Sequence, residues 1–175
     1  MKEGTTLPWS IELYVDEENA EAIRAVSAPG TSPHVSLAVT ASIDRVPLEA
    51  VLPDWATRQA PVPVTFDHWG LFLSESAVLF LAPREGAALA AVHRDFHRHA
   101  SHLLVGEWDF YRPQRWVPHC TVADHAALTD LAAAVERARH LSLPMTALLS
   151  RMALVEVGHR RIEHWVVPLE SSIDG

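Results

Sequence analysis

One cysteine, Cys120, is all the thiol chemistry in this 175-residue chain. A single thiol excludes an internal disulfide and every multi-cysteine metal site. Lysine is scarcer than expected: Lys2 stands alone, and the other basic residues are arginines. No apolar run approaches the ~20 residues that a membrane-spanning helix requires, so no membrane partner is expected. The opening Met-Lys-Glu-Gly-Thr-Thr lacks an apolar signal core, and a cytoplasmic location is the expectation. Positive charge is also short, with 14 Lys+Arg against 22 Asp+Glu and a net charge of −8. That balance excludes wrapping a long nucleic acid, where phosphate neutralisation dominates affinity.

The deficit is uneven. Residues 1–87 carry five basic against 12 acidic residues, whereas residues 88–175 carry nine against ten. An arginine fork suits a phosphate or carboxylate, although a GC-rich genome produces the same bias for no chemical reason. A small anionic ligand fits this pattern; a polyanion track does not. The length suits one domain over residues 1–175, large enough to bury a core without staples.

Strands and helices alternate along the chain. Trp9 to Val15 alternates apolar and polar residues as a strand does, and Asp16 then caps a helix through Val26. His34 to Thr40 is a strand, and Leu48 to Thr57 a short helix made ragged by proline. Val62 to Leu73 and Ala77 to Ala82 form two strands joined by a turn at 74–76. Arg84 to Leu104 reads as one long helix, Gly106 to Pro118 as a functional loop, and His119 to Ala123 as a strand. A helix over Leu128 to Leu141 precedes a closing hairpin, Met145 to Val157 and Arg160 to Val167, around Gly158. The short turns favour antiparallel neighbours, which makes the fold class α+β.

One short repeat stands out. Pro33-His34-Val35-Ser36-Leu37-Ala38 matches Pro118-His119-Cys120-Thr121-Val122-Ala123 position by position. Each reads proline, histidine, apolar, hydroxyl, aliphatic, alanine. In a strand alternate side chains share a face, so His34 lies beside Ser36, and His119 beside Thr121. Either strand alone reads as the solvent face of a sheet, but an incidental surface pattern has no reason to recur with the same proline before it. Two imidazoles and two hydroxyls on one cleft suit phosphoryl transfer without a metal. One histidine takes a proton from the attacking oxygen and the other gives one to the leaving oxygen. The hydroxyls meet the charge that builds on the phosphoryl oxygens.

The tetrads HVSL and HCTV resemble the paired H-x-[ST]-h motifs of the 2H phosphoesterase superfamily, the 2′-5′ RNA ligase-like proteins and cyclic phosphodiesterases. The opening strand ELYV, the run FDHWGLFL and the approach RPQRWVPHCTV extend the likeness over most of the chain. The resemblance implies two pseudo-symmetric lobes of antiparallel sheet, with helices packed outside, facing a central cleft. It implies His34 and His119 as the acid–base pair, and Ser36 and Thr121 as phosphate-binding residues, with no cofactor. The implied substrates are 2′,3′-cyclic phosphates or 2′-5′ linkages of RNA ends or small nucleotides; a monomer is the expectation. Ser36 replaces the more usual threonine and keeps the hydroxyl.

Tyr111, Arg112, Arg115 and Trp116 precede the second tetrad and are candidate substrate contacts, by phosphate pairing or base stacking. Trp116 alternatively anchors the loop in the core. Cys120 points away from His119 and reads as a buried apolar residue. His93, His97, His99 and His102 crowd one helix. His93 and His97 have the i, i+4 spacing of zinc ligands, but no HExxH pattern or third ligand accompanies them. They read as histidines on a solvated face, and no metal is expected. Arg151, Arg160 and Arg161 have two readings, as lining of the same cleft or, the better one, as a solvated hairpin. Other readings are a phosphodiesterase of a signalling nucleotide, or a non-catalytic RNA-end or nucleotide-binding module. A binder has no need of two proton-transfer histidines.

Overall fold

The computed structural model describes residues 7–73, 77–84, 86–125, 128–158 and 160–170. The fold is α+β, built from β1 (Trp9–Val15), α1 (Glu17–Val26), β2 (His34–Ile43), α2 (Arg45–Thr57), β3 (Val62–Leu73), β4 (Ala77–Pro83), α3 (Ala87–Ala100), β5 (Leu104–Glu107), β6 (Cys120–His125), α4 (Leu128–Ala138), β7 (Met145–Glu156) and β8 (Ile162–Pro168). The turn expected at 74–76 lies outside the described residues.

All eight strands belong to one antiparallel sheet in the order β5-β2-β1-β7-β3-β4-β6, with β8 pairing β7. The two halves of the sheet meet at β7. That strand is long enough to pair with β1 along one edge, and with β3 and then β8 along the other. The sheet curls until β2 and β6, which are not neighbours in strand order, come into contact. The segment after α1 joins β6 as well, where the Ala28 N–H donates to the Val122 carbonyl at 2.9 Å.

Local chemistry explains the elements beside the cleft. The Asp16 carboxylate accepts the Asn19 N–H and caps α1, which buries Ala20, Ile23 and Val26. The α2 helix tolerates Pro53 and packs Leu48, Leu52, Trp55 and Ala56 inward. Val35 and Leu37 on β2, with Cys120 and Val122 on β6, are wholly buried in one apolar cluster. Four such side chains stabilise by roughly 1.5–3 kcal/mol each at full burial. Because strand side chains alternate, burying that set turns His34 and Ser36, and Thr121, to the opposite faces.

The expected long helix over Arg84 to Leu104 is shorter. It starts after Gly86 and ends at Ala100, followed by a 3-10 turn at Ser101–Leu103. Leu104–Glu107 then pairs with β2 as an edge strand. Gly106 has φ +69°, and a Cβ there would meet Ala41 at 3.1 Å, so glycine admits the pairing. His93 and His97 are buried, which corrects the solvated-face expectation; His99 and His102 are exposed. Among the described residues no helix is long and apolar enough to cross a membrane.

Candidate active site

His34 opens β2, and His119 immediately precedes β6. Both carry the same local clamp. His34 Nδ1 lies 2.6 Å from the Ser32 carbonyl, and His119 Nδ1 lies 2.7 Å from the Val117 carbonyl. An imidazole that donates Nδ1–H to a carbonyl two residues upstream has its tautomer set and leaves Nε2 for chemistry. The repeated proline sits between clamp and histidine both times, and fixes φ there.

The two motif segments are tied together. The Trp116 indole N–H donates to the Ser36 carbonyl at 3.1 Å. The buried Cys120 thiol lies against the His34 backbone, and burial pushes it up to about 12, which makes it an inert apolar filler. The imidazoles are near enough that the charge of His34 disfavours a charge on His119. Burial is the larger cause, and together they hold His119 below its ordinary value.

The walls differ. On the first side β1 lies against β2 with Tyr14 opposite His34 and Glu12 opposite Ser36. Glu12 is 1% exposed, yet it is paired: Arg161 donates to its two oxygens at 3.1 and 2.5 Å. Its Oε1 stands 3.4 Å from His34 Nε2. Arg161 is therefore no solvated hairpin residue, because a buried carboxylate requires a partner. The Tyr14 hydroxyl donates to Glu163 at 2.6 Å. Burial, followed by that bond, raises the phenol above its ordinary value. Ser36 is buried, with Oγ 3.2 Å from Ser10 Oγ.

The second side is aromatic. Phe72 and Phe80 stack at 4.3 Å, and both present their rings to His119, at 5.0 and 5.3 Å between centroids. Phe80 stands opposite Thr121 in the β4–β6 ladder and opposite Gly70 in the β3–β4 ladder. A Cβ at position 70 would lie 2.2 Å from the Phe80 ring, so the missing side chain is what lets that ring lie flat.

The loop before His119 divides its residues between inside and outside. The Tyr111 ring is 6.3 Å from His119, and burial, then the Glu12 charge, pushes its phenol up to about 12. The Trp116 ring lies parallel to His93 at 3.8 Å, which makes it the anchor of the loop. His93 Nε2–H in turn donates to the Tyr111 carbonyl at 2.8 Å. Arg112 and Arg115 are exposed and paired with Asp109 at 3.4 and 3.2 Å. Arg115 also covers the exposed Phe110 ring at 4.8 Å. Sequence reasoning missed Glu12, Phe72 and Phe80, and preferred a solvated reading for Arg161 and His93. Only the buried charge at Glu12 had a trace in the sequence, as a carboxylate inside the apolar alternation WSIELYV.

The model of the 2'-5' RNA ligase superfamily matches residues 14–161, which span both tetrads. Among solved structures, TT0787 of Thermus thermophilus superposes with TM-score 0.61 at 15% identity, covering 95% of this chain and all of that one. E. coli LigT in its apo form gives 0.61 at 16%, covering 94% and 98%. Kluyveromyces marxianus Usb1 gives 0.56 at 14%, covering 95% and 100%. LigT has also been solved with phosphate, 3'-AMP, ATP and NADP+. At these identities the likeness is one of fold. No curated protein matches the chain in sequence.

Proposed function

The chain belongs to the 2'-5' RNA ligase superfamily, and from that premise we propose that it is a phosphodiesterase working by paired-histidine acid–base catalysis. Its substrates are 2′,3′-cyclic phosphates or 2′-5′ linkages of small nucleotides or RNA ends. The observation that carries this reading is the repeated clamp: two histidines, 85 positions apart, each with Nδ1 bound to the carbonyl two residues upstream. Two such imidazoles meet the needs of an in-line displacement, one Nε2 taking the proton of the attacking oxygen and the other supplying the leaving oxygen. Ser36 and Thr121, beside them on the same faces, donate to the non-bridging oxygens as charge develops. The Tyr111 ring stands 6.3 Å from His119. The nucleotides bound to LigT support a small-nucleotide substrate.

The test is a panel of 2′,3′-cyclic nucleotides and 2′-5′ dinucleotides, with products resolved by chromatography. Turnover of at least one class, abolished in H34A and H119A, is the expected result. Nucleotide binding without turnover of any substrate would overturn the enzyme in favour of a binding module.

A further inference from the structure

The two histidines share a backbone clamp and differ in what faces them. Around His34 the charged and titratable groups come from β1, β7, β8 and the segments that precede β6 and β8. Glu12 and Tyr14 stand on β1, and Arg161 and Glu163 on β8 or just before it. Arg151 on β7 lies over the Tyr14 ring at 5.7 Å, His119 precedes β6, and Tyr111 sits in the field of Glu12. Of these, the one at His34 Nε2 is the Glu12 carboxylate, whose Oε1 stands 3.4 Å away and accepts a hydrogen bond from Arg161. His119 instead has its surroundings set by Phe72, Phe80, Tyr111, the Val117 carbonyl and the charge of His34.

We propose that Glu12, clamped by Arg161, is a positioning residue that holds the Nε2–H of His34, making His34 the proton donor of the pair and His119 the base. The proposal rests on the phosphodiesterase reading above. With Nδ1–H bound to the Ser32 carbonyl, a neutral His34 would present an Nε2 lone pair to a buried carboxylate, which repels. A proton on Nε2 turns that contact into an ion pair. Among the described residues His119 Nε2 has no such acceptor, and its aromatic walls favour the neutral ring. Arg161 bonds both oxygens of that carboxylate and so keeps it aimed.

The step balances. Water adds to phosphorus while His119 Nε2 takes one of its protons. The bond from phosphorus to one ribose oxygen breaks, and His34 Nε2–H protonates that oxygen. The product is a monoester with a free hydroxyl; His119 ends protonated and His34 neutral, and proton exchange with solvent restores both.

The experiment is a set of pH–rate profiles with 2′,3′-cyclic AMP, or whichever cyclic nucleotide or 2′-5′ dinucleotide the wild type turns over. H119A should lose the acidic limb and H34A the alkaline limb. E12Q should keep the acidic limb, move the alkaline limb to lower pH by about one unit, and lose about tenfold at the optimum. E12D, which keeps the charge, should recover much of both. Because E12Q leaves Arg161 buried without a partner, E12Q/R161Q is the second variant, checked for folding by its melting curve. A nucleoside 4-nitrophenyl phosphodiester gives an independent readout, since nitrophenolate leaves without a proton. On it, H34A and E12Q should lose far less rate than H119A. Loss of the acidic limb in H34A, or an unmoved alkaline limb in a folded Glu12 variant, would overturn the assignment while the enzyme stands. Absence of any wild-type turnover would overturn both.

Discussion

Trp116 lies flat against His93, ring centroids 3.8 Å apart and planes 6° from parallel, and its indole N–H reaches the carbonyl of Ser36. One stack therefore joins α3, the loop before the second motif and the strand of the first. The loop is held by side chains from elsewhere in the chain.

The most direct consequence concerns the histidine pair. Replacing either His34 or His119 with alanine should cut kcat by about 10²–10⁴-fold, the usual size of one lost proton transfer. The double variant should lose much less than the product of the two, because the groups act as a unit. Melting temperatures should stay near wild type, since neither ring belongs to the apolar core. Full activity in a folded single variant would remove that histidine from the mechanism.

His93 makes folding pH-dependent. Burial, then repulsion from His97, pushes its imidazole from 6.5 down to about 4. Between those values the unfolded chain binds a proton that the folded state refuses. Stability present above about pH 6.5 is thus lost as pH falls toward 4, by about 3 kcal/mol in all. H93Q keeps a donor for the Tyr111 carbonyl and should flatten this slope. Urea melts at several pH values compare the two, and a slope shared in full would exonerate His93.

Phe72 is the accessible ring of the aromatic wall, since Phe80 is 5% exposed. Stacking a nucleobase on it is worth about 1–3 kcal/mol. F72A should therefore raise KM for cyclic nucleotides about tenfold with kcat little changed, and leave a base-free cyclic phosphate of glycerol unaffected. An equal KM rise on both substrates would point to a collapsed wall instead. G70A is the companion: its Cβ would force the Phe80 ring to move, at a cost of about 1–3 kcal/mol in stability.

Chelation separates two mechanisms. The two imidazoles and two hydroxyls can supply both proton transfers and the charge stabilisation, so activity should survive EDTA. Loss that a divalent ion restores would move the chemistry to a metal-assisted route.

Much of this protein follows from residues close together in the chain. A side-chain period of two decides that His34 shares a face with Ser36 and that Cys120 turns inward, because alternation is local to a strand. Asp16 caps α1 from the position next to it, and the proline before each histidine sits inside its own clamp. The matched tetrads were visible for the same reason. What the fold alone decided lies between distant segments. Glu12 and Arg161 are 149 residues apart, and they meet only because β1 and β8 flank the same strand. Leu104–Glu107 continues a helical composition yet becomes a strand, because the open edge of β2 offers it backbone partners. His93 and His97 look like surface histidines until the loop before His119 lays a carbonyl and an indole on His93, and Glu107 of β5 reaches His97. The motifs themselves are nearly symmetric, so the difference between their histidines could not come from them; it comes from a buried carboxylate beside one and stacked rings beside the other, which strand order and sheet curvature bring into place.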